Sequence, residues 1–350
     1  MYDKRDVIIV VVNSRGANSA SIVSSGNPLD VRVACRPLRE HLKEAAGQVA
    51  SNIVFVDDLV EARKAIHDAE QAGIVLLVDG LSGFTNPKRA FEDALESYIA
   101  ATSDVVVLAT KPYAERGVRV ATRGSTLVEA GVGSEAFAGV VAGKREKLLD
   151  ALNRARSWIE VLNALHEANV VYWSEPWIRL ETPYDILLYN MLVLQELREA
   201  RIAANAEISP TAVIEGPVVI EERARIDHYA VIKGPAMICK DAFVGLHATV
   251  RQYSVLEENA RVDAYSEVYV TSLQRGATLS SHTYLTGSIV GEAAKVEPFV
   301  VTKVLYEREA AEKLGIIAPF TPETRAGAVI YAGARVPAGT VLEPLAHIKP

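Results

Sequence analysis

The sequence predicts an α/β protein in which a doubly wound amino-terminal sheet, residues 1–200, gives way to a carboxy-terminal parallel β-helix of hexapeptide repeats, residues 201–350. Two observations carry that expectation. One is a strict period of six in the aliphatic residues from Ile208 onward. The other is an alternation of β-branched runs with helical patterns before it, the rhythm of strands separated by crossover helices.

The period is the stronger signal. Stepping by six from Ile208 gives Ile214, Ile220, Ile226, Ile232, Ile238, Val244, Val250, Leu256, Val262 and Val268, with no polar residue in the series. Four places after each lies a second register, from Ala212 through Ala224, Ala230, Ala236, Ala242, Ala248, Ser254, Ala260 and Ser266 to Ser272, small throughout except at Val218. A flat coil explains both: each short strand points one large apolar side chain inward, a small residue fits where the chain turns, and stacked coils bury one another's faces. The phase slips by one to Leu273, Leu279 and Leu285, and slips again to Val290 and Val296, as at a loop or bulged corner. A charged stretch, 307–313, reads as a short helical excursion before the period returns at Ile330, Val336, Leu342 and Ile348. The period does not give the hand of the coil.

In the first half, strands are expected at 7–12, 53–56, 74–78, 105–108 and 170–172, and helices at 38–50, 59–72, 87–101, 144–168 and 183–199. Such an order predicts a mostly parallel sheet covered on both faces, a type suited to nucleotides.

Bulk properties narrow the function. The 350 residues are 49% hydrophobic and 23% charged, as in an ordinary globular chain. A net charge of -7 speaks against a nucleic-acid groove, which needs clustered positive charge. The apolar run 7–12 is too short for a membrane span or a signal peptide. Cys35 and Cys239 fit neither a disulfide framework nor a zinc spacing, which points to a reducing cytoplasm.

The segment Trp177-Ile178-Arg179-Leu180-Glu181-Thr182-Pro183-Tyr184-Asp185-Ile186-Leu187-Leu188 and the helix start Arg36-Pro37-Leu38-Arg39-Glu40-His41-Leu42 carry a resemblance. With the hexapeptides, the chain resembles the bifunctional sugar-1-phosphate nucleotidylyltransferases, in particular the N-acetylglucosamine-1-phosphate uridylyltransferase and glucosamine-1-phosphate acetyltransferase group with its archaeal members. The resemblance implies a nucleotidyltransferase-like sheet, a left-handed β-helix, and assembly as a homotrimer or as a hetero-oligomer with an active paralogue.

Residue by residue, the chemistry that the resemblance implies is eroded. Nucleotidyl transfer needs Mg²⁺ on carboxylates, a glycine-rich loop against the triphosphate and a cation on the developing charge. The loop here is Asn13-Ser14-Arg15-Gly16-Ala17-Asn18-Ser19, with a single glycine, and Asn27-Pro28-Leu29 replaces a family Lys-Pro-Leu. Gly80-Leu81 stands for Gly-Asp, leaving Asp79 as the substitute acid, and the family's Trp-x-Asp acid is Arg179. Glu175 and Glu181 read as solvated acids, so no metal is expected.

In the acetyltransferase half, the family's general-base histidine falls on Ser281 in Ser281-His282-Thr283-Tyr284, and His282 is displaced by one residue, to the opposite face of a strand. The frame keeps Arg251 at the sugar-phosphate position together with Tyr284, while a binding lysine has become Tyr269 and an asparagine Val304. Apart from phosphate binding, the plain role for Arg251 is a surface pair with Glu257 or Glu258. His41, His166, His228, His247 and His347 read as structural or exposed, and Trp173 and Trp177 as core.

These losses imply a catalytically degenerate relative that acts as a structural, regulatory or sugar-nucleotide-binding subunit, without nucleic acid or membrane and with no cofactor. The alternative is an active acetyl- or nucleotidyltransferase with shifted catalytic residues, His282 or Asp79, and only that alternative requires Mg²⁺ and acetyl-coenzyme A.

Overall fold

The computed structural model describes residues 2–13, 20–24, 26–101, 103–317 and 322–350. It divides into two units, Met1–Asn18 with Leu38–Glu181 and Ser19–Pro37 with Thr182–Pro350. A cut at residue 200 therefore falls inside the second unit. The chain is α/β, and its carboxy-terminal half is a parallel β-helix.

The first unit is built on an eight-stranded sheet. Val7–Val12, wholly buried, lies parallel between Asn52–Val56 and Ile74–Asp79. Its continuous apolar run is the pattern of a strand covered on both faces. Val105–Thr110 and Asn169–Trp173 form a second parallel pair. Between the two blocks runs Glu135–Lys144, antiparallel to both neighbours, and the hairpin of Arg119–Arg123 and Thr126–Ala130 closes the far edge. The sheet is thus mixed rather than mostly parallel. The central strand escapes a propensity reading because it is rich in alanine and glycine. Gly139 adopts φ 82° where the register shifts between Phe137 and Val141, and a Cβ there would collide with the Ser82 hydroxyl. The helix expected over 144–168 is two helices, Arg145–Ala151 and Trp158–Ala164. Ser157 caps the second by accepting the Glu160 N–H, an internal start signal that the apolar period hides.

In the second unit, three parallel walls of eight, seven and seven short strands make the β-helix. The first wall begins with Arg201–Ile202, the second with Glu207–Ile208 and the third with Val213–Glu215. The six-residue register lines the core: Ile226, Ile232, Ile238, Val244, Val250, Leu256, Val262 and Val268 are buried against the small column of Ala224, Ala230, Ala236, Ala242, Ala248 and Ala260. Each such aliphatic contributes roughly 1.5–3 kcal/mol of burial, set against the ordering of its coil.

Both phase slips are corners shortened by one residue, after Glu267–Tyr269 and after Tyr284–Thr286 on the third wall. The excursion leaves from that corner too. Between Val301–Thr302 and Val329–Ile330 the chain forms the helix Glu307–Leu314 and the paired segments Leu305–Tyr306 and Arg325–Ala326, then rejoins all three walls.

The described residues of 20–37 form a strap along the corner after the first wall. Ala332 N–H donates to Ile22 O at 3.0 Å and Glu292 N–H to Val23 O at 2.8 Å. Further along, Arg32 N–H donates to Gln274 Oε1 at 3.1 Å, and Gln274 Nε2 donates back to Arg32 O at 3.0 Å. The strap ends in a tight hairpin, Arg32–Val33 against Arg36–Pro37, where Cys35 forms a disulfide with Cys239, Cα–Cα 5.2 Å. The two cysteines do pair, contrary to the sequence expectation, because the strap carries Cys35 across 204 residues of chain to its partner.

Beside them Glu257 is fully buried, accepting from Arg32 Nε and Cys35 N–H, both at 3.1 Å. Burial pushes its carboxyl up to about 7, with Arg32 and the Cys35 N–H opposing the rise. A folded pKa above the ordinary 4.5 means that this group favours folding when protonated, so its contribution is full below about 4.5 and lost as pH rises to about 7. The stability of the wild-type chain relative to Glu257→Gln should therefore fall across that window and level off above it, measured by denaturant unfolding at a series of pH values. In the core, Leu279→Ala empties a fully buried position and should cost about 2–5 kcal/mol in the same assay.

Candidate functional site

The first unit places Asp79 at the carboxyl end of Ile74–Asp79 and Arg179 at the end of Trp177–Arg179, which pairs antiparallel with Ser82–Phe84. Carboxyl ends of strands are where open α/β sheets hold ligands. Here the ends meet each other. Arg179 Nε donates to Asp79 Oδ2 at 2.6 Å, and the guanidinium also pairs with Glu181. Leu81 N–H donates to the other Asp79 oxygen at 3.2 Å, and Gly117 N–H to Glu181 Oε1 at 3.0 Å. Arg179 is 8% exposed and Asp79 1%. Burial alone would lower the Arg179 pKa, but Asp79 and then Glu181 outweigh it and hold the guanidinium above its ordinary value.

Around the pair, Glu175 is bound by Arg89, and Trp173 and Trp177 are core residues, as the sequence suggests. A cavity of about 280 Å³ opens beside them, lined by Val12, Asp57, Asp58, Val118, Arg156 and Arg179. Of the sequence's glycine-loop segment, Asn13 follows its strand and donates its N–H to Val56 O at 2.8 Å, and 14–19 lie outside the described residues.

In the second unit, Arg251 and Tyr284 come together on the third wall. Arg251 donates to Glu267 Oε1 at 2.9 Å, and its guanidinium lies 4.3 Å from the centre of the Tyr269 ring. The partner is thus Glu267; Glu257 and Glu258 pair instead with Arg32. Tyr284 stands in register beside Glu267. Burial raises its phenol, Glu267 and Tyr306 add to the rise, and Arg251 and Arg325 oppose it.

Arg325, which the sequence reading missed, stacks 4.8 Å from the Tyr269 ring and 4.8 Å from the Tyr306 ring. It enters from the excursion, outside the hexapeptide frame. Its signal is the next residue but one, Gly327, where a Cβ would collide with the Thr286 carbonyl and whose own carbonyl accepts the Tyr184 hydroxyl at 2.8 Å. The chain must pass tightly there, and Arg325 rides on that passage. Two guanidiniums share the Tyr269 ring and one of them pairs with Glu267, an arrangement whose N–H groups can hold a phosphate.

His282 is not on a strand. It sits at the corner after the second wall with φ 60°, its ring stacked 5.2 Å from Tyr265 and 5.0 Å from Phe299. Tyr229 and His247 continue the ladder below Tyr265 at 5.0 and 5.1 Å. Both ring faces of His282 are covered and its edge is exposed.

Fold and site together describe an α/β unit with an ion pair at its strand ends, joined to a parallel β-helix that carries a cationic aromatic cluster. Comparison with known proteins adds a family-level resemblance. Over 127 residues the chain is 28% identical to the bifunctional sugar-1-phosphate nucleotidylyltransferase/acetyltransferase of Sulfurisphaera tokodaii, covering 36% of this chain and 31% of that protein. Over 121 residues it is 35% identical to the bifunctional protein GlmU of Methanocaldococcus jannaschii, covering 35% and 28%. The matches thus span about a third of these relatives' length. No family model matches the chain. Among the described residues, no helix is long and apolar enough to cross a membrane.

Removing Arg179 would leave Asp79 buried and unpaired. Arg179→Met should therefore cost about 3–5 kcal/mol, and Arg179→Met with Asp79→Leu should recover most of it, read by thermal or denaturant unfolding.

Proposed function

We propose that this chain is a sugar-1-phosphate nucleotidylyltransferase/acetyltransferase-like protein that has lost nucleotidyl transfer and serves as a structural or regulatory subunit binding a sugar phosphate or nucleotide sugar. The observation that carries the reading is the Asp79–Arg179–Glu181 arrangement. A Mg²⁺ site needs carboxylate oxygens free to face a cation. Both carboxylates at these strand ends instead face a fixed guanidinium, so magnesium does not fit.

On the β-helix, the two-arginine cluster at Tyr269 supplies the phosphate subsite, with Arg251 and Arg325 as donors and Tyr284 beside them. His282 is held by stacking between Tyr265 and Phe299 at a corner, rather than on the third-wall strand that carries Tyr284. Assembly as a homotrimer, or with an active paralogue, belongs to the same proposal and rests on the resemblance. A second reading, an active sugar-phosphate acetyltransferase, is favoured by the same intact cationic cluster.

Calorimetry with sugar 1-phosphates, UTP with Mg²⁺, and acetyl-coenzyme A separates the two. The degenerate reading expects sugar-phosphate binding that Arg251→Ala and Arg325→Ala each weaken about tenfold or more, with no pyrophosphate released from UTP and no free coenzyme A thiol formed. Thiol release that His282→Ala abolishes would establish the second reading, and pyrophosphate release that Asp79→Asn abolishes would overturn the first.

A further inference from the structure

One place after each inward residue of the first wall, the side chains form a column along the β-helix: Glu221, Cys239, Glu257 and Gln274, on successive coils. The first three are spaced by eighteen residues, one full coil apiece, which makes them stacked neighbours. The strap meets this column from outside. At its end Cys35 Sγ, Cys239 Sγ and a Glu221 carboxylate oxygen all lie within 4.8 Å of one another, the one such grouping among the described residues. Glu257 Oε2 lies 3.8 Å from Cys239 Sγ. Cys35, Cys239 and Glu257 are buried, at 4%, 0% and 0% exposure.

We propose that this cluster is a thiol-gated metal site: a disulfide when oxidised, and a site for one thiophilic divalent cation of the zinc type when reduced. Opening the disulfide takes two electrons and two protons from an external dithiol, which becomes a disulfide itself. Two thiols result, and cation entry displaces their two protons. Cys35, Cys239 and Glu221 are the ligands, and Glu257 is placed to be the fourth. Two sulfurs with carboxylate oxygens select zinc over magnesium or calcium.

With zinc–sulfur bonds of about 2.3 Å at tetrahedral angles, the sulfurs part from bonding distance to about 3.8 Å, while the Glu221 oxygen already lies within 4.8 Å of both. The outer partners that hold metal ligands are already in place. Glu221 accepts the Lys240 backbone N–H at 2.9 Å, and Glu257 is held by Arg32 and the Cys35 N–H. Arg32 also offsets charge in a cluster that would hold two thiolates and two carboxylates. Ala34 and Cys35 adopt φ 49° and 75°, a left-handed turn that non-glycine residues rarely take, and the cation would add a tie to it when the disulfide is open.

The test uses the full chain, stripped with a chelator and divided into an oxidised sample and one reduced with a phosphine, with two titratable thiols confirmed in the latter. Equilibrium dialysis against Zn²⁺ should give one more bound ion per reduced chain than per oxidised chain. Co²⁺ should produce a thiolate charge-transfer band in the reduced sample alone. Glu221→Gln should weaken the reduced-state site at least tenfold, and Cys35→Ser with Cys239→Ser should abolish it, while both variants keep the wild-type circular dichroism. Equal zinc uptake in the reduced, oxidised and double-serine chains would overturn the proposal. So would a disulfide that opens only on unfolding, since the pair would then be a permanent tie.

Discussion

Everything in the second unit depends on one packing constraint: a coil has room for one large aliphatic per wall and a small residue at each turn into the next. Once that rule fixes the coil at about eighteen residues, positions far apart in sequence become a line of touching side chains. The aromatic ladder through His282, the Arg251–Tyr269–Tyr284 cluster and the Glu221–Cys239–Glu257 column are three such lines, on three different parts of the coil. None of them is a local motif. Each takes its geometry from the interior aliphatics, which touch no ligand.

The first unit shows the opposite economy. Its strands converge on a place where the sheet architecture favours ligands, and there one buried arginine pairs with both acids. Burying an ion pair gains little over burying apolar groups, whereas leaving either partner alone is costly. The arrangement is therefore hard to lose by single steps in either direction: Asp79 needs Arg179, and Arg179 needs the two carboxylates.

How much of this the sequence displays depends on whether a feature follows a period. The inward register and the small turn residues are periodic, and the coils follow them from Ile208 to Ile348. The five strands expected in the first half are also present, because their β-branched runs are strong. Glu135–Lys144 was hidden by alanine and glycine, and the helix break by an apolar rhythm that runs through Ser157. In the candidate site, Arg251 and Tyr284 are singled out by the family resemblance and the coil sets them close together, whereas Arg325 arrives by an insertion that has no place in that frame. The strap is the largest feature without a signal. Its residues touch the coils through backbone carbonyls and single side chains, which leave no spacing to count.

That strap alters how the solenoid can come apart. A stack of coils held only by nearest neighbours loses its ends first and unravels one turn at a time. Here a single segment reaches from Cys239 to Ala332, bonded to successive turns between them. No turn in that stretch can peel away without tearing the same thread from the others, so the middle of the stack opens as one cooperative block. Among the described residues, the turns before Cys239 and those after Ala332 have no such thread, and fraying is confined to those two ends.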